Sequence, residues 1–221
     1  MMSETEEASN SDWASGAEWL RSNSDSLKRA RRGLSLFHHG VGLVFLSALG
    51  VLYFQFSTDK LDLVRTILPL MAMSGYLMML TGITLCLSVP ERSQTRRFVI
   101  GSVLGIFASL IFAVVNHFDP RILSMALAQI LKLGGIIGFF LYGLFLKKLA
   151  YYVDRPGQAA KANSLLMATI LLLLGSWLMN VLSWFEITDF KSMTIYPVLL
   201  LGLFTYTCLA GSLKKTLIVK D

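Results

Sequence analysis

The sequence predicts an all-α membrane protein: a six-transmembrane-helix bundle, N-in/C-in, with a short N-terminal cytosolic or interfacial segment. Three observations predict it. The chain of 221 residues is 54% hydrophobic and only 15% charged, against about 25% charged in an ordinary soluble domain. Its mean hydropathy is +0.61. Its apolar residues gather into runs long enough to cross about 30 Å of hydrocarbon at about 1.5 Å per helical residue. Its basic residues lie overwhelmingly at alternate loops. The same composition excludes a disordered, disulfide-stapled or collagenous chain.

Residues 1–33 form a cytosolic N-terminal tail. Its first twelve residues are rich in Ser and Glu and read as disordered. The start is acidic and no secretory signal is expected. Trp13, Leu20 and Leu27 then recur every seven residues, which predicts an interfacial amphipathic helix from about Asp12 to Arg32, with a loosely ordered tail as the alternative. The membrane domain covers 34–213, with spans at about 34–56, 65–89, 98–117, 122–148, 163–186 and 193–213. The charge-free windows behind these spans are 33–58, 66–90, 98–118, 162–185 and 192–213, and a further window, 122–146, is interrupted only by Lys132. Strand alternation is absent, so a β-barrel is not expected. Residues 214–221 form a cytosolic tail. The longest loop, about 149–162, carries the turn signal Asp154-Arg155-Pro156-Gly157.

Fifteen of the twenty Lys and Arg residues fall on one side of this arrangement, four on the other, and Lys132 between. The positive-inside rule therefore puts both termini in the cytoplasm. The net charge of +6 is explained by these flanks and needs no nucleic acid.

Lys132 is the most informative residue. A charge near the centre of a span costs at least about 2.5–3.5 kcal/mol, so such a residue faces protein or water and marks a site. No carboxylate lies within a span to pair with it. Gln129 lies one turn outward on nearly the same face, and Asn180 of the next span falls at a similar depth. Gln129, Lys132 and Asn180 are the candidate intramembrane polar cluster, with Ser74 or Tyr76 as further members. The plainer reading is interhelical hydrogen bonding that fixes packing.

Gly134 and Gly138, with Gly135, form a small-residue stripe on the fourth span. Gly101 and Gly105, with Ala108 and Ser109, form another on the third. Such stripes let helix backbones approach closely, within one chain or across a dimer. A polar face and a close-packing face together predict a central fourth span. His38 and His39 fall near the inner end of the first span and His117 at the outer end of the third, too far apart to share a metal. Cys86 and Cys208 sit toward cytosolic span ends, where a disulfide is not expected. Pro69 and Pro197 read as first-turn prolines, with a kinked outward vestibule as the alternative. Trp177, Trp184, Phe185 and Tyr196 read as an aromatic belt.

Several chemistries have no support. The chain lacks HExxH, paired intramembrane aspartates, GxSxG and a Walker A loop. No catalytic residue, metal or cofactor is implied.

Leu85-Cys86-Leu87-Ser88-Val89-Pro90, closing the second span, and Leu144-Phe145-Leu146-Lys147-Lys148-Leu149-Ala150, closing the fourth, resemble span ends of multi-span bacterial integral membrane proteins of the planctomycete type. That group carries no established activity, so the resemblance implies no functional residue. It implies a bacterial cytoplasmic (inner) membrane.

The leading expectation is a non-catalytic accessory or assembly subunit of a membrane complex. The alternative is a small-solute or ion transporter or channel with a path near Lys132. A third reading makes the N-terminal segment a docking element. The partners implied are the lipid bilayer and other membrane subunits or a second copy of the chain.

Overall fold

The computed structural model describes residues 16, 18–21, 24–56, 62–90, 95–119, 121–122, 124–184 and 195–217, with side chains undescribed at 54–56, 62–65, 125, 168, 172–184, 195–201 and 216. Six long helices carry the chain: α1 (Asp25–Phe56), α2 (Asp62–Leu85), α3 (Arg96–Phe118), α4 (Met125–Tyr152), α5 (Pro156–Trp184) and α6 (Ile195–Thr216). One 3-10 turn, Cys86–Ser88, extends α2, and no strand occurs among the described residues. Four stretches are long and apolar enough to cross a membrane: Asp25–Tyr53, Thr66–Ser88, Arg96–Phe118 and Ala126–Tyr152. By length and composition the chain is an all-α integral membrane protein.

The helices satisfy their own polar groups. Thr81, Thr84, Ser102, Thr169 and Thr207 each donate a hydroxyl to the carbonyl four residues earlier. An apolar helix can therefore carry them through hydrocarbon without an orphaned donor. Ser124 caps α4 by accepting from the Leu127 N–H at 3.3 Å. The α4–α5 connection is far shorter than the sequence suggests, because both helices run on past the apolar windows. The turn occupies only residues 153–155. Asp154 takes a positive φ of 53° there, a conformation Asp tolerates, and Pro156 opens α5.

Each helix packs against its neighbour in the chain, and α6 returns to pack against α1. The helices thus close a ring. Neighbours run antiparallel: Ser88 reaches Ser26, Gly105 meets Gly138, Lys147 reaches Asn163, Gln158 reaches Ser212, and His38 reaches Thr207. The starts of α1, α3 and α5 and the ends of α2, α4 and α6 consequently share one end, which carries the basic clusters. The expected central placement of the fourth span is corrected. The glycine stripe of α4 serves a single neighbour, α3, so α4 is one wall of the ring.

Two glycine seams set the spacing of the walls. In α3–α4, a Cβ at Gly105 would lie 2.5 Å from the Gly134 carbonyl oxygen and 2.6 Å from the Gly138 nitrogen. Gly101 meets Leu141, and Gly135 meets Ser109. The second seam joins α1 and α2. A Cβ at Gly33 would lie 2.5 Å from the Gly82 carbonyl oxygen, and one at Gly40 would lie 2.6 Å from that of Gly75. Ser47 continues the same sevenfold spacing and donates to the Leu68 carbonyl at 2.7 Å. A repeat of seven corresponds to about 3.5 residues per turn and keeps one face toward the partner. Ser47→Ala should cost only about 0.6 kcal/mol, the mean for interhelical hydrogen bonds within membranes. A steric denaturation titration in mixed micelles would measure it, and a loss above about 2 kcal/mol would assign the seam to this bond instead of to close packing.

Among the described side chains of α1 to α4, burial is one-sided. Toward the far end, none is buried beyond Ser47 in α1 or Leu110 in α3. On the returning helices none is buried before Gly75 in α2 or Gly135 in α4. The basic half, by contrast, is filled. Phe37, Tyr142, Phe145, Leu34, Leu146, Leu149 and Leu213 are fully buried. Phe37 lies 3.9 Å from Tyr142 between ring centroids, and Tyr206 packs on both Phe37 and Phe139.

The N-terminal segment departs from the expected continuous helix over about 12–32. Residues 18–21 are helical, Ser24 is not, and a new helix begins at Asp25 and continues without interruption through the span. Ser24 Oγ accepts from the Leu27 N–H at 3.4 Å, the local alternative that serine offers at a helix start. Trp19 is 7% exposed. Its ring lies 5.9 Å from that of Tyr152, and its indole N–H donates to Ser26 Oγ at 2.9 Å. The segment folds onto the basic end of the bundle. Trp13 lies outside the described residues.

Candidate functional site

The α4 stripe that contains Lys132 begins at the basic end with Ala150 and Leu146, both fully buried. Seven residues outward is Phe139, whose carbonyl accepts the Tyr206 hydroxyl at 2.5 Å. Seven further is Lys132. Residues spaced by seven share a helical face, so Lys132 continues the stripe that lines the bundle interior. Lys132 is nevertheless exposed. It lies in the half of α4 farther from the basic end.

Its ammonium sits over the Phe112 ring of α3, 5.1 Å from the centroid, a cation–π arrangement. Among the described residues no carboxylate lies within ion-pair distance of it. Gln129, one turn farther out, is half-buried. Asn180 lies within α5, but its side chain is outside the described residues, so its place in the cluster is open. Ser74 donates within its own helix to Met71 and is exposed. Tyr76 is half-buried against the aliphatic core. The partner that sequence reasoning missed is Phe112. The register of the α3–α4 glycines was the signal that could have found it, because aligning Gly105 with Gly138 brings Phe112 level with Lys132.

The remaining sequence candidates fall elsewhere. His38 Nδ1–H donates to the Thr207 carbonyl at 2.8 Å and ties α1 to α6, since a carbonyl can only accept. His39 Nδ1–H donates to the Ser35 carbonyl at 2.6 Å within its own helix and is exposed. His117 packs edge-on against Phe118 at the far end. No group of three potential metal ligands occurs among the described residues. Cys86 is buried and Cys208 exposed, both as free thiols. The Tyr142 hydroxyl has no oxygen or nitrogen partner among the described residues and rests against the Cys86 thiol.

Pro69 departs from its expected first-turn position. It sits inside α2, seven residues after Asp62, so position 69 donates no hydrogen bond to the Arg65 carbonyl. Pro197 is the third residue of α6. The aromatic belt proposed from Trp177, Trp184, Phe185 and Tyr196 falls on side chains outside the described residues.

No family model matches the chain, and neither a curated protein nor a solved structure matches it.

Proposed function

We propose that this chain is a six-span protein of a bacterial cytoplasmic membrane, with both ends inside, that binds a small solute or ion at Lys132. One observation carries the reading: Lys132 lies on the interior stripe of α4 and is exposed there. A lysine that merely braced two helices would be covered by them. An ionisable residue within a span marks a ligand or ion site by default. The orientation rests on the basic clusters, which the antiparallel ring gathers at one end.

The test is thiol accessibility. Lys132→Cys in a Cys208→Ala background should react with a membrane-impermeant maleimide added to intact cells. Its rate should exceed that of Leu146→Cys by about two orders of magnitude, as an exposed thiol exceeds a packed one. Protection of Lys132→Cys from the outside would sink the reading.

The accessory or assembly reading is favoured by a different observation, the packed basic half. Phe37 packs against Tyr142 and Tyr206 there, and the described side chains around them are buried. A subunit that serves another chain needs no opening. A stoichiometric partner in a native-membrane purification, together with an unreactive Lys132→Cys, would establish it. The N-terminal docking reading is tested by removing residues 1–15. Removing 1–33 would also cut into α1 and the Gly33 contact, so it reports on folding.

A further inference from the structure

We propose that the solute taken at Lys132 is a small organic monocarboxylate. The inference rests on the reading of the far half as an accessible site and names its ligand class. Four features point to it. First, the site holds one ammonium and, among the described residues, no carboxylate to neutralise it. A single negative charge balances it, whereas a second would stand uncompensated beside apolar walls, where burying charge is costly. Second, the ammonium rests on a ring face. An aromatic face is a weaker partner for a cation than a carboxylate, whose charge-assisted hydrogen bonds would displace it. Third, two amides stand one turn farther out. The register set by Gly105 with Gly138 and by Ser109 with Gly135 brings exposed Asn116 of α3 about level with half-buried Gln129 of α4. Each amide offers two N–H donors, which suits the second oxygen of a carboxylate. Fourth, the Phe112 ring beside Lys132 provides apolar surface for a short hydrocarbon or ring.

The experiment uses the full-length protein in detergent and follows thermal unfolding against added benzoate, propionate, sulfate and tetramethylammonium. Any solute that binds the folded state raises the midpoint by mass action. The two monocarboxylates should raise it in a dose-dependent way, and sulfate and tetramethylammonium should not. Lys132→Met should weaken the apparent benzoate affinity by roughly tenfold or more, as removal of one partner of a charge pair does. Lys132→Arg should retain it, which separates loss of charge from misfolding. Equal stabilisation of the Met variant would overturn the proposal. So would stabilisation by vesicles of an anionic phospholipid with no response to either carboxylate, since Lys132 would then hold a lipid headgroup. The thiol experiment separates the two levels of inference. A reactive Lys132→Cys with no carboxylate response removes the ligand class alone, and a protected Lys132→Cys removes the site as well.

Discussion

Gly82→Leu should prevent recovery of a folded, monodisperse protein. A Cβ at position 82 would lie 2.6 Å from both the Gly33 carbonyl oxygen and the Phe37 backbone nitrogen. Both are main-chain atoms, so no rotamer change relieves the overlap, and α1 must move away from α2. Separation would also loosen the Gly40–Gly75 contact one heptad away. Gly82→Ala carries the same Cβ alone and should cost about 1–3 kcal/mol, the usual range for overpacking. The two variants are compared by elution profile and by unfolding in mixed micelles. Gly42→Ala is the internal control. Nothing lies within 4 Å of a Cβ there, so it should be neutral or gain up to about 1 kcal/mol from helix propensity. If Gly82→Leu elutes as wild type does, the α1–α2 seam does not set the helix separation.

Phe37→Ala should cost about 3–5 kcal/mol, the range for truncating a fully buried aromatic. Phe37 has no exposed surface. It meets Tyr142 of α4 at 3.9 Å and Tyr206 of α6 at 6.5 Å, so three walls of the ring lose contact at once. Phe45 makes the useful contrast. Its ring lies 6.3 Å from Phe204, which is 54% exposed, so Phe45→Ala should cost about half as much or less, because less surface returns from burial. Equal costs at the two positions would mean that the far half is packed as tightly as the basic half.

The six helices were legible because each is an apolar run that water cannot accommodate, and hydropathy reports that directly. The Gly101–Gly105 and Gly134–Gly138 stripes were legible as surfaces. Their mutual pairing was not, since a stripe shows which face approaches closely and not what it approaches. The Gly33–Gly40 and Gly75–Gly82 pairs illustrate the limit further. A spacing of seven stands in the sequence, yet it declares itself only when both helices carry it in antiparallel register. Lys132 was legible from cost alone, because a lone charge in a span is conspicuous. Its setting over Phe112 depended on the α3–α4 register. That the described side chains of α1 to α4 are buried toward the basic end and exposed toward the other had no local signal, because residues such as Leu70, Leu104, Ile130 and Leu133 are as apolar as the core. The break at Ser24 carries one local sign, a serine whose hydroxyl accepts from the Leu27 N–H, and the spacing of Trp13, Leu20 and Leu27 runs straight across it.

The return of α6 onto α1 fixes an order of events during biosynthesis. The hairpins α1–α2 and α3–α4 join segments close in sequence, and each can zip as soon as its second helix is made, because short loops cost little to close. The α1–α6 contact joins residues 169 positions apart at His38 and Thr207. Until α6 is in place, the face of α1 that carries His38 lacks this partner. The ring is therefore assembled from prefabricated pairs and completed by one late, long-range closure. A nascent chain arrested before Ile195 should hold its hairpins and yet expose that face to the insertion machinery and to any chaperone that reads it.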